Sequence, residues 1–224
     1  MAARAHAPAP LEIAERVSSE IEPTVAIAKL ANLRTEAEET ARLANLLGRS
    51  LYAAIVLPVL GALTIGLAGG MSLSSQLVWG GFVALSSVAM LRSYTHAISQ
   101  PFERAALKSF AKDLSAILLY TGFAWGAGAF LALPAATGMA AAILFATVPA
   151  VAIALLLRER EAVFLFLAPV AMLASFASVL RPFADGALDA GLILVACAAI
   201  AGFTALIDRQ ATGGFVRPAM LPLT

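Results

Sequence analysis

Residues 114–133 read L-S-A-I-L-L-Y-T-G-F-A-W-G-A-G-A-F-L-A-L. These twenty residues carry no charge, and as a helix they rise about 30 Å, the thickness of the hydrocarbon core of a bilayer. Five more charge-free apolar blocks lie on either side, at about 51–67, 77–91, 135–157, 162–179 and 190–207. They account for a composition of 61% hydrophobic and 13% charged residues with mean hydropathy +0.88. Soluble domains carry about 25% charged residues. The expected fold class is therefore all-α: a polytopic membrane protein with a bundle of six transmembrane helices and an N-terminal cytoplasmic amphipathic helix.

Outside the blocks, the chain divides into a helical leader (1–49), a transmembrane domain (50–208) and a tail (209–224). Residues 1–10 are rich in alanine and proline and read as flexible. Leu11 to Glu22 reads as a short helix stopped before Pro23. From 24 to 49 the pattern is helical, with Leu30, Leu33, Ala37, Thr40, Ala44 and Leu47 at alternating three- and four-residue spacings. Glu38 stands four residues before Arg42, the favourable order for a helix pair. This segment is first an amphipathic helix lying on the membrane or on the protein's own cytoplasmic face. Residues 24–49 also offer a surface for self-association or for another membrane or cytoplasmic protein.

Orientation follows from the basic residues. Fourteen of the fifteen Lys and Arg fall in the leader, the loop after the second span, the loop after the fourth span and the tail. Only Arg181 falls on the other side. By the positive-inside rule both termini are expected in the cytoplasm, with the chain multi-pass in the inner membrane.

The spans contain no Asp, Glu, Lys, Arg or His within these bounds. Coupled transporters, pumps and voltage sensors use ionisable groups at depth, and intramembrane hydrolases need a nucleophile with a base or metal ligands. The expectation is accordingly a non-enzyme with no cofactor. His6 and His96 stand apart from any Cys or acidic cluster, so no metal site is expected. Cys197 reads as a small packing residue. No basic stripe with interleaved aromatics points to nucleic acid.

What the spans do contain is mildly polar or aromatic. Tyr120 and Trp125 lie away from the helix ends where aromatic belts sit, and five residues separate them by roughly 140° around the helix. With Thr121, Ser86, Ser87, Thr147 and Ser175 they form the candidate intramembrane set. It serves either interhelical packing with a local hydrogen bond or a pocket for a small hydrophobic ligand. Pro58, Pro149 and Pro169 remove backbone donors inside spans, which membrane helices tolerate when neighbours satisfy the freed carbonyls. Small residues recur at four-residue spacing (Ala62, Gly66 and Gly70; Gly122 and Gly126; Ala198 and Gly202) and read as internal packing faces. Arg104, Lys108 and Lys112 line one side of a helix expected to begin near Pro101, with Phe102, Ala106, Phe110 and Leu114 on its apolar side. Their stems can snorkel to anionic headgroups, so lipid contact is their expected role.

The loop P-F-E-R (101–104) followed by G-F-A-W-G-A-G-A-F-L-A-L-P (122–134) and three more blocks resembles the six-span input segments at the N-termini of bacterial diguanylate cyclases and sensor histidine kinases. The similarity covers about residues 50–208, with Gly122, Trp125 and Gly126 as its aromatic-glycine stretch. It implies a sensor body. After Ile207, however, Gly213, Gly214 and Phe215 do not form the cyclase signature, and no phosphoacceptor histidine helix appears in the sequence, so the resemblance implies a stand-alone or truncated sensor body with no output activity of its own. The function expected is a non-enzymatic sensory or partner-binding module acting through leader and tail. The alternatives are a small uncoupled transporter or channel subunit, and a structural subunit or assembly factor of a membrane complex.

Overall fold

The computed structural model describes residues 10–67, 72–101, 103–132, 139–180 and 186–213. Residues 1–9 of the start expected to be flexible, Gly70, Phe102, Arg181 and residues 214–224 of the expected tail lie outside them. Among the described residues the chain is entirely helical: α1 Pro10–Leu67, α2 Leu73–Ser99, α3 Arg104–Ala132, α4 Met139–Leu157, α5 Arg160–Val179 and α6 Gly186–Gly213. Five helices are long and apolar enough to cross a membrane, whereas the apolar part of α4, Ala142–Leu157, is shorter.

Several boundaries differ from those read off the sequence, each for a local reason. Residue 23 does not end a helix; α1 runs through Pro23, losing one intrahelical hydrogen bond, to the Ser19 carbonyl, rather than the helix. Four residues before the expected second span, α2 begins because Ser72 caps it. Its hydroxyl accepts the Ser75 N–H at 3.2 Å from an extended backbone. The same helix continues past Leu91 to Ser99 and stops where Gln100, forced extended by Pro101, takes φ −92°, ψ 158°. At the other end of that loop α3 starts at Arg104, three residues after Pro101, with the Leu107 N–H donating to the Glu103 carbonyl. Past Ile207, α6 extends into the expected tail as far as Gly213.

At the end of α4, Arg158 has φ 51°, the left-handed conformation that glycine usually supplies at a helix C-terminus. Its N–H donates to the Ala154 carbonyl at 3.1 Å. For a residue with a Cβ this conformation costs on the order of 1 kcal/mol.

The chain divides into two compact units, residues 1–43 and 44–224. In the first, the described helix exposes Val25, Ile27, Leu30 and Leu33, and Arg34 pairs with Glu38 at 2.9 Å. In the second, α5 lies at the centre and packs on α3, α4 and α6, while α2 packs on α3 and α4 on α6. The second half of α1 buries Leu46, Leu47, Ser50, Ala53, Ala54, Leu57 and Gly61 along one face. That spacing of three and four is the stripe of a helix with one covered side.

Of the small-residue rows only one is a contact face. A Cβ on Gly122 would run into the Phe166 carbonyl and Pro169, and one on Gly126 would lie 2.9 Å from the Pro169 carbonyl and 3.0 Å from Leu173. Here the α3 backbone approaches the α5 backbone closely, at the Phe166 and Pro169 carbonyls. Gly66 and Gly202 meet nothing within 4 Å, and Ala62 and Ala198 are exposed, so the rows on α1 and α6 face outward. Identical spacing cannot say which helix face a neighbour occupies.

Candidate functional site

Where α1, α2, α3 and α4 converge, the core is aromatic. Trp79 and Trp125 are each 1% exposed, and their rings meet edge to face at 5.4 Å and 72°. Phe145 completes the cluster at 5.8 Å from Trp79 and 6.0 Å from Trp125. Such pairs contribute about 0.5–1.5 kcal/mol beyond their burial. On α1, Gly61 admits the cluster: a Cβ there would sit 3.2 Å from Val83 and 3.9 Å from Trp125.

Both indoles also satisfy helix carbonyls. Trp125 Nε1–H donates to the Phe145 carbonyl at 3.0 Å. In an uninterrupted helix that carbonyl would accept from residue 149, but residue 149 is proline and has no N–H. The indole therefore replaces the donor that Pro149 removes. Trp79 Nε1–H donates to the Ala124 carbonyl at 3.0 Å. This carbonyl is reachable because residue 128, one turn on, is glycine; a Cβ there would collide with the Trp79 indole. In an apolar interior an unsatisfied polar group, whether the Phe145 carbonyl or a buried indole N–H, costs about 1–3 kcal/mol, so each indole N–H holds two helices in register.

The remaining candidates are spread over different helices and faces. Tyr120 is 39% exposed, on a different face of α3 from the buried Trp125. Thr121 and Thr147 each donate to the carbonyl four residues back, Ile117 and Ile143. Ser86 and Ser87 both donate to Val83. Ser175 alone reaches another helix, donating to the Ala190 carbonyl of α6 at 3.3 Å. Hydroxyls spent on backbone carbonyls in this way offer little to a ligand. On α3, Lys108 and Lys112 are exposed and Arg104 half-buried, with Leu107, Phe110 and Leu114 buried on the opposite side.

Sequence reasoning passed over three residues. Trp79, near the start of a span, reads as an interfacial aromatic, and its contact with Ala124 lies 45 positions away. Phe145 reads as one apolar residue among many. Asp189 falls one residue before the sixth block, yet it is 5% exposed in the first turn of α6. There a carboxylate meets the positive end of the helix dipole. Beside it, Gly186 packs directly on the Ser178 carbonyl.

A groove between α4 and α6 encloses about 280 Å³ and is lined by Val151, Ala154, Leu155, Ala199, Ile200, Phe203 and Ile207, none of them from the candidate set. Among the described residues no three His, Cys, Asp or Glu side chains converge as metal ligands. No known protein family, curated protein or solved structure matches this chain.

Proposed function

We propose that the chain is a non-enzymatic inner-membrane module with six spans and both termini cytoplasmic. It acts by docking a protein partner on α1 between residues 24 and 49, as a sensory or partner-binding element. The observation that carries this reading is the row Ile27, Leu30 and Leu33, which remains 53–67% exposed. Apolar side chains on a solvated helix favour burial by about 25 cal/mol per Å². A helix that lies on anionic lipid carries a polar face rich in Lys and Arg. Here Glu36, Glu38 and Glu39 are interleaved with Arg34 and Arg42, a mixture suited to a protein surface. The interior supports a non-enzymatic role, since the hydroxyls of Ser86, Ser87, Thr121, Thr147 and Ser175 and the indoles of Trp79 and Trp125 serve backbone carbonyls.

The membrane reading is supported by five helices of spanning length and by outward rows such as Leu77, Phe82, Leu85 and Val88 on α2. The 19 residues of α4 rise about 28 Å, close to the hydrocarbon thickness of about 30 Å. A crossing by α4 also brings Arg158 and Arg160 to the same side as Lys108 and Lys112, as the charge rule requires.

Affinity purification of the intact protein from its native membrane should return a stoichiometric partner. The partner should be lost when residues 1–49 are deleted and reduced at least tenfold by Leu30→Glu with Leu33→Glu, about 1.4 kcal/mol at the interface. A partner retained by both variants would remove α1 from the interaction. For topology, a periplasm-active reporter fused after Thr224 should be silent; an active one would overturn six spans with both termini cytoplasmic.

A further inference from the structure

The groove between α4 and α6 is apolar throughout, and its volume of about 280 Å³ falls at the lower edge of the roughly 300–1,000 Å³ typical of small-molecule sites. It suits a slim, flexible, apolar occupant. Its α4 wall includes Ala154 and Leu155, in the last turn of that helix. The Ala154 carbonyl accepts the N–H of Arg158, so the groove wall leads directly to an exposed arginine. Two residues on, at the first position of α5, stands exposed Arg160. The intervening Glu159 has an interaction of its own, and Glu161 lies in the first turn of α5, where the helix dipole favours an acid.

Arg158 is the unusual feature. It is the one non-glycine with positive φ among the described residues, at a site where glycine would relieve the backbone. Inference from an unfavourable conformation to a role is sound when the neighbouring chemistry supplies one. Here the neighbouring chemistry is an apolar groove whose α4 wall runs to within one helical turn of Arg158, with Arg160 two residues further on, and guanidinium forks match phosphate oxygens.

On the membrane reading above, we propose that this groove binds one anionic phospholipid, with an acyl chain along Val151, Leu155, Phe203 and Ile207 and its phosphate on Arg158 and Arg160. The site is separate from the basic row on α3. It takes a lipid rather than free phosphate because most of its contact surface is apolar.

The test is native mass spectrometry of the intact protein released from nanodiscs of equal phosphatidylglycerol and phosphatidylcholine with identical acyl chains. Phosphatidylglycerol should be retained about tenfold over phosphatidylcholine, each arginine contributing about fivefold at the membrane surface and water screening part of it. Arg158→Gly, which keeps the left-handed conformation, should lower that preference about fivefold without loss of folded protein. Ala199→Phe should displace the bound lipid by filling the groove. Lys108→Gln with Lys112→Gln should leave retention unchanged. Equal retention of the two lipids, or a preference that survives Arg158→Gly, overturns the proposal. Displacement by glycerol phosphate as effective as by phosphatidylglycerol also overturns it, since the groove would then play no part. Alkaline carbonate extraction is run in parallel. A chain that stays embedded but shows no preference loses only the lipid site, and a chain that is extracted loses the membrane reading with it.

Discussion

Gly122→Val is expected to lower the thermal midpoint of the solubilised protein by roughly 6–12 °C. The first atom beyond Cα at position 122 would meet the Phe166 carbonyl and the Pro169 ring, both fixed parts of α5 rather than the tips of flexible side chains. Overpacking of this kind costs about 1–3 kcal/mol when neighbours can shift, and the central position of α5 leaves little room to shift. Taking about 3 kcal/mol and about 2–4 °C per kcal/mol for a chain of this size gives the stated range. Gly202→Val is the control. Nothing lies within 4 Å of a Cβ there, and removing a helical glycine relieves backbone entropy, so its midpoint should stay level or rise slightly. If the two variants behave alike, α3 and α5 are not packed as described.

That pair of glycines also shows where the sequence is readable and where it is not. Gly122 and Gly202 both stand four residues from another small residue in an apolar run, and only a neighbour's position separates them. The all-helical class was legible because charge-free length is a one-dimensional property of residues 114–133 and their counterparts, whereas the fusion of leader and first span into the single helix α1 was not. The continuation of α2 to Ser99 was obscured by Arg92, which closes a charge-free block without closing a helix. Its actual end, by contrast, follows from Pro101. The seam from Leu30 to Leu47 indicated helix, yet burial along it changes from Leu33, 53% exposed, to Leu47, 4% exposed. That change depends on what surrounds each turn. In the candidate site, Trp125 stood out by its position inside a span. Its partners did not, because Trp79 and Phe145 are joined to it only by the fold. Asp189 was missed by one residue in placing a boundary.

The strongest test of the aromatic cluster is a double-mutant cycle between Trp125 and Pro149. Trp125→Phe keeps a ring in the core but removes the indole N–H that reaches the Phe145 carbonyl from α3. An acceptor left unpaired in an apolar interior costs about 1–3 kcal/mol, so this variant should lose about 2 kcal/mol together with some packing against Trp79. Pro149→Ala restores a backbone N–H four residues after Phe145, which can close the ordinary helical bond. In that background Trp125→Phe removes a redundant donor and should cost only the packing part, giving a coupling of about 1–2 kcal/mol between positions that would otherwise add. Unfolding midpoints of the four proteins in one detergent measure the cycle. Costs that simply add would mean that the indole N–H does not replace the missing donor, and Pro149 would then be an ordinary kink whose carbonyl is satisfied elsewhere. A coupling of the expected size makes Trp125 and Pro149 one unit. A proline opens the α4 backbone, and a tryptophan from α3 closes it.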